Sequence, residues 1–336
     1  MADTKKIEEA LEHVRIAEKS LKTSFLKWRP DYEEAADEYS KAATCFRNGK
    51  SFEQCKDCLL KAADCHKQKR SLFHAAKCLE QAVLACKDTG GLQDVPRLAE
   101  QACSLYQQHG SPDAGAAALD KAAKVLEPRQ PEQALRLYQR AAEVVTIEDS
   151  PRQAAEFMGK VARIMVKLKM YDEATDAIRR EMGYHQQSDN IPAMGRLAVG
   201  LVLVQLARGD QVAAEKAFKE WGNCCDPAEV QTLEKLLQGF DDEDPDVVRS
   251  ALSSSFIKNM DVEYSRLARD LPLPQGVAPI QRPSVRENAA PSYISPNAAA
   301  LSSDAEGANG VEVGDSTQQP NAADEDEDDE FCGGLR

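Results

Sequence analysis

The sequence predicts an all-α protein, a stack of helical hairpins with a C-terminal helical bundle and a disordered acidic tail. Three observations carry this expectation. Alanine recurs every twenty residues, at Ala42, Ala62, Ala82, Ala102, Ala122, Ala142 and Ala162. A second small or apolar residue stands seven positions before each one, at Ala35, Cys55, Ala75, Val95, Gly115, Leu135 and Ala155. Aromatic residues make up only 6% of the chain, and helix formers dominate. Seven residues are two helical turns, so each pair shares a helix face. A helix with its turn takes about twenty residues and a hairpin about forty, and a small residue at a fixed point lets neighbouring helices approach closely. The pattern is that of a tetratricopeptide-like solenoid.

The elements follow in order. An apolar stripe at Ile7, Leu11, Val14 and Leu21 predicts a first helix over 5–23, ended by Trp28-Arg29-Pro30. Asp31 is read as the cap of the next helix, with Glu34 as its capping-box partner. Later helices are read as opening at Ser51, Ser71, Ser111-Pro112, Pro131, Ser150-Pro151 and Tyr171, each marked by a capping residue or a proline in the first turn except the last. Turns are placed near Asn48-Gly49, Lys69-Arg70, Gly90-Gly91, His109-Gly110, Pro128 and Glu148-Asp149. Past Glu181 the rhythm weakens, and helices are expected at 191–207, 211–221, 227–240, 245–255 and 258–269. The expected domains are a solenoid over 1–220, a helical cap over 221–270, a disordered linker over 271–323 and an acidic tail over 324–336. The linker assignment rests on composition, since seven of the chain's sixteen prolines fall between Pro272 and Pro320.

Charge is distributed unevenly. Residues 1–240 hold 36 acidic and 35 basic residues, whereas residues 241–336 hold 20 and 7, so nearly all of the net −14 lies at the C-terminal end. A near-neutral body argues against nucleic acid as a partner, because such binding needs a basic face. The N-terminus lacks the apolar core of a signal peptide. No run reaches the ~20 apolar residues needed to span a bilayer, and Leu197–Leu206 is too short. A soluble, cytosolic chain with reduced thiols is expected.

Few motifs suggest chemistry. Cys55-x-x-Cys58 with Cys65-His66 is part of a zinc-like spacing, but the cysteines occupy positions where other repeats carry Ala or Leu, so packing is the preferred reading. Asn48-Gly49-Lys50-Ser51 lacks the first glycine of a phosphate loop, and Cys332 is one position too early for prenylation. No enzyme, cofactor or metal is expected. Two features resist a bland account. Phe25, Leu26 and Trp28, interleaved with Lys27 and Arg29, suit a membrane interface, though a staple tucked between helices fits equally. The run Asp324-Glu325-Asp326-Glu327-Asp328-Asp329-Glu330, followed by Leu335, reads as a solvated tail or as a docking end. Residues 121–180 hold twelve basic against nine acidic residues, which by count alone is an ordinary mixed surface.

Together these features resemble the soluble NSF-attachment proteins, in particular the gamma branch of that family. The most specific stretch is Leu21-Lys22-Thr23-Ser24-Phe25-Leu26-Lys27-Trp28-Arg29-Pro30-Asp31-Tyr32. Ser71-Leu72-Phe73-His74-Ala75-Ala76-Lys77, Ala134-Leu135-Arg136-Leu137-Tyr138-Gln139 and the closing Gly333-Gly334-Leu335 agree with it. The stretch from Leu271 to Ala323 is longer than the family pattern. The resemblance implies an adaptor, located in the cytoplasm and peripherally on membranes, that serves vesicle fusion and transport between compartments such as the endoplasmic reticulum and Golgi. It would bind syntaxin-type SNARE four-helix bundles and recruit the hexameric N-ethylmaleimide-sensitive factor ATPase for their disassembly. By this resemblance Phe25, Leu26 and Trp28 would touch the membrane. Basic residues of the solenoid face would meet the bundle: Lys160, which falls on a matching Lys-Val-Ala segment, with Lys121, Arg129 and Arg163 as further candidates. Asp324–Glu330 and Leu335 would engage the ATPase. Lys160 is read as exposed, so reversing its charge is expected to leave folding almost unchanged. The alternative is a generic helical-repeat scaffold without membrane contact.

Overall fold

The computed structural model describes residues 2–23 and 28–274, with side chains from Thr4 onward. Phe25, Leu26, most of the linker and the whole acidic tail, including Asp324–Glu330 and Leu335, lie outside the described residues. The described residues form helices and connections, with no strand among them. The stack comprises α1 (Ala2–Leu21), α2 (Tyr32–Asn48), α3 (Phe52–Gln68), α4 (Leu72–Thr89), α5 (Val95–His109), α6 (Pro112–Leu126), α7 (Pro131–Ile147), α8 (Pro151–Lys167) and α9 (Tyr171–Gln187). Each of these helices packs on the next one along the chain, and α4 also reaches α6. The predicted periodicity has a direct structural counterpart. All seven twenty-residue alanines are buried, and so are the seven residues placed two turns before them. An alanine there removes bulk at the point where two helix axes come closest.

The connections are as regular as the helices. At eight turns a backbone N–H reaches back five residues to a carbonyl, as in Ser51 to Phe46 at 2.8 Å, Ser71 to His66 at 2.9 Å and Met170 to Met165 at 2.9 Å. The residue just before each such donor is left-handed: Lys50, Arg70, Gly110, Asp149, Lys169, Asp189, Gly209 and Glu243. This closure satisfies carbonyls that the helix end would otherwise leave unpaired. It also corrects part of the capping expectation. Ser51, Ser71, Ser111 and Ser150 make no side-chain cap bond; the preceding turn, not the hydroxyl, sets those starts. Asp31 does accept from the Glu34 N–H at 3.1 Å, but Glu34 turns away to accept from Ser20 Oγ at 2.8 Å, so that box is half formed. A complete box occurs instead at Asp226 and Glu229.

The C-terminal part comprises α10 (Ile191–Arg208), α11 (Gln211–Trp221), α12 (Pro227–Asp241), α13 (Pro245–Leu252), α14 (Ser255–Lys258) and α15 (Val262–Asp270). The last three replace the pair expected over 245–255 and 258–269. Ser254 and Asp261 accept backbone N–H groups and open new helices inside what the sequence presents as one. Helix α10 is apolar apart from Arg196, Gln205 and Arg208 and spans 18 residues, longer than the run expected from sequence. Among the described residues it alone is long and apolar enough to cross a membrane, yet 67% of it is buried within the protein. Such a helix is a core element, enclosed by its neighbours. Two glycines allow that enclosure. A Cβ on Gly195 would lie 2.5 Å from the Cys224 carbonyl oxygen, and one on Gly200 would lie 3.2 Å from the Tyr264 ring. Leu271 is buried and Leu273 packs against the core, so ordered packing runs past residue 270.

Candidate interaction faces

The even-numbered helices carry positions forty residues apart onto adjoining surfaces, where opposite charges meet. Glu80 on α4 pairs with Lys121 on α6, and Glu80 also accepts from the Tyr106 hydroxyl at 3.0 Å. One step along, Asp120 on α6 accepts from Lys160 on α8 at 2.7 Å and from Lys124 at 2.7 Å. Lys160 also donates to Glu156 at 2.7 Å, and its ammonium lies 4.7 Å from the Phe157 ring centroid. Burial works against ionisation of Asp120, but Lys124 and Lys160 outweigh it and hold the carboxyl below its usual range. Burial likewise opposes the Lys160 charge, and Asp120 and Glu156 more than restore it.

The structure therefore separates the four basic residues singled out from the sequence. The Lys160 side chain is 12% exposed and fully engaged, which corrects the expectation that it projects freely. Lys121 is exposed but paired with Glu80. Arg163 reaches 98 residues along the chain to Asp261, joining α8 to the start of α15. Arg129 is exposed at the α6–α7 turn and makes no ion pair among the described residues. Arg136, Arg152, Lys167, Lys169 and Arg180 share that condition. The sequence carried a signal for the paired set: opposite charges at 80 and 121, and at 120 and 160, stand about one hairpin apart.

Beside the Arg163–Asp261 pair, a cavity of about 790 Å³ opens between α8, α9, α10, α14 and α15. Glu181 and Tyr264 are buried along its wall, and Glu181 Oε2 and the Tyr264 hydroxyl have no hydrogen-bond partner among the described residues. Burial pushes the Glu181 carboxyl up, against the pull of His185 and Arg163. Gly159 makes room for it, since a Cβ there would lie 2.6 Å from Glu181 Oε1. Sequence reasoning missed this cluster because its members come from helices far apart in the chain. An isolated glycine in the middle of α8 was the one available sign.

The α1–α2 connection presents Trp28 with 85% of its surface exposed. Trp28 is thus not buried between helices. The Asp31 N–H bonds the Ser20 carbonyl at 3.0 Å and fixes where the chain re-enters α2. Cys55, Cys58 and Cys65 are buried in the core of α3, and desolvation pushes the Cys58 thiol up to about 11.

A family model described as soluble NSF attachment protein matches residues 8–254. A gamma-soluble NSF attachment protein of Dictyostelium discoideum is 25% identical over 277 residues, covering 81% of this chain and 86% of that protein. One from Arabidopsis thaliana is 25% identical over 259 residues, covering 76% of this chain and 89% of its own length. An alpha-soluble NSF attachment protein of Vitis vinifera is 28% identical over 221 residues, covering 63% and 75%.

Proposed function

The chain belongs to the soluble NSF attachment protein family, and from that premise we propose an adaptor that binds assembled SNARE bundles and recruits the N-ethylmaleimide-sensitive factor ATPase to take them apart. Members of this family serve SNARE disassembly as adaptors, and ATP is hydrolysed by their partner. The observation that carries the reading is the family match itself, which runs from within α1 to the end of α13. The fold supports it: a long array of helices offers an extended surface for another helical assembly.

Three contacts would share the work. Trp28, with Phe25 and Leu26, would meet the membrane surface as amphipathic anchors beside Arg29. The bundle would meet basic residues of the middle hairpins. Of the four candidates, Arg129 is the most available, whereas Lys121, Lys160 and Arg163 must exchange Glu80, Asp120, Glu156 and Asp261 for acids of the partner. Such exchange makes docking sensitive to salt. Asp324–Glu330 and Leu335 would engage the ATPase, and the tail's charge would steer it toward a basic surface. Weak contacts joined on one chain reinforce each other through effective concentration.

The test is capture from detergent extract with ATP withheld, followed by ATP addition. The expected result is recovery of SNARE bundles and the ATPase together, released on hydrolysis. Recovery of neither would sink the reading. Liposome flotation with Trp28→Ser then separates the adaptor from a scaffold with no membrane contact.

A further inference from the structure

Helices α1 and α2 bring a carboxylate, an imidazole and a thiol to one place. Glu9 and His13 lie one turn apart on the same face of α1, and Cys45 faces them from α2. One donor atom from each lies within 4.8 Å of the other two. Four-coordinate zinc holds its donors at about 2.0–2.3 Å, hence roughly 3.3–3.8 Å from one another. Closing the remaining ångström asks most of Glu9, whose side chain is about half exposed and free to change rotamer.

The surroundings of His13 are those of a ligand. Its Nδ1 lies 2.7 Å from Glu38 Oε2. Glu38 is buried, and its other oxygen accepts from Lys41 at 2.6 Å. Lys41 holds one oxygen of Glu38 and leaves the other facing the imidazole as an acceptor. A hydrogen from Nδ1 to this carboxylate leaves Nε2 with the lone pair. A carboxylate behind an imidazole in this way fixes the ring and raises its basicity toward a metal. Cys45 is buried, and a metal that binds its sulfur must displace the thiol hydrogen. A Lys6–Glu9 ion pair at 2.7 Å now shields the carboxylate. It is an exposed pair of the kind that costs little to break.

We propose that Glu9, His13 and Cys45 bind a zinc ion that pins α1 to α2, with water in the fourth position. Thiolate and imidazole favour zinc and its borderline-soft neighbours over magnesium or calcium. On binding, the Cys45 sulfur forms the bond to the metal and its proton passes to solvent, with no change of oxidation state.

The experiment uses the full chain after chelator treatment. Titration with Co²⁺ should give a near-ultraviolet thiolate-to-cobalt band that saturates at one equivalent and is displaced by Zn²⁺. Cys45→Ser should abolish that band, His13→Ala should weaken binding at least tenfold, and Glu38→Gln should weaken it by about 10–100-fold. Cys224→Ser, at a partly exposed thiol elsewhere, should leave the titration unchanged. No band on the full chain, a band that persists in Cys45→Ser, or an unchanged affinity in His13→Ala overturns the proposal. Should Cys45→Ser lose its helical circular dichroism, Glu9→Gln and His13→Ala, both outside the core, decide the matter.

Discussion

The helices α1–α9 and the helices α10–α15 solve the same packing problem in different ways. In the first region the helices are amphipathic and meet their neighbours along the chain, and α2–α8 leave room for them with alanine at a fixed interval. In the second, the mostly apolar α10 lies under α11, α12 and α15, with glycine at the tightest points. The first arrangement sums local contacts, as repeat arrays do. The second depends on contacts distant in sequence, and its Arg163–Asp261 hydrogen bond spans 98 residues. A repeat can thus be extended by copying, whereas its end needs a custom closure.

Four changes break or sharpen that contrast. The largest effect is expected in the regular region, where spacing alone would predict tolerance. Lys160→Glu places a third carboxylate against Asp120 and Glu156 in a mostly buried site. A loss of about 2–4 kcal/mol in chemical denaturation is expected. A loss below half a kcal/mol would mean that the charges forty residues apart are ornament and alanine geometry suffices.

Next comes a pair of glycine substitutions. Gly195→Ala in α10 drives a methyl into the Cys224 carbonyl and should cost about 1–3 kcal/mol. Gly183→Ala in α9 meets open space and should gain about 0.5–1 kcal/mol from the usual helix preference. Equal outcomes for the two would erase the distinction between the regions.

Acid should separate the two regions by sign. Asp120, in the stack, has a folded value below 3.8, so its contribution is present above that value and is lost as pH falls further. Glu181, at the junction, has a folded value above 4.5, so the folded state takes up its proton first. Lowering pH from 7 through that value toward 4.5 should therefore stabilise the wild type relative to Glu181→Gln. Melting temperatures of wild type, Asp120→Asn and Glu181→Gln between pH 3 and 7 check both slopes. Parallel curves for wild type and Glu181→Gln would refute the second.

The smallest effect concerns the turns that both regions share. Lys169 is held left-handed at φ 60°, a conformation that costs a side chain about 1–2 kcal/mol and glycine far less. Lys169→Gly should gain up to about 1 kcal/mol after the added freedom of the unfolded chain is counted. A loss would show that the lysine makes a compensating contact.

Much of the first region was legible in advance. Alanine spacing, prolines at Pro112, Pro131 and Pro151, and the breaks at Gly49, Arg70 and Gly110 place helices within a few residues of where they lie. These are local signals, and local geometry decides them. Ser254 and Asp261 were harder to read, because a cap and an interior polar residue look alike until neighbouring helices fix which one forms. Trp28 was equally ambiguous, since large apolar side chains serve both a core and a surface contact.

The sequence alone determined the helical class, the hairpin period, the neutral body with its acidic end and the family. Each depends on spacing, composition or a contiguous stretch, all of which survive without coordinates. Tertiary structure decided which charges are free. Lys160 and Arg129 look alike as letters, yet one is locked between Asp120 and Glu156 while the other makes no ion pair among the described residues. It also gathered Glu181, Arg163 and Tyr264 around one cavity, and Glu9, His13 and Cys45 onto one helix pair. The reason is physical: an electrostatic interaction depends on distance and burial, and both are set only when separate helices pack.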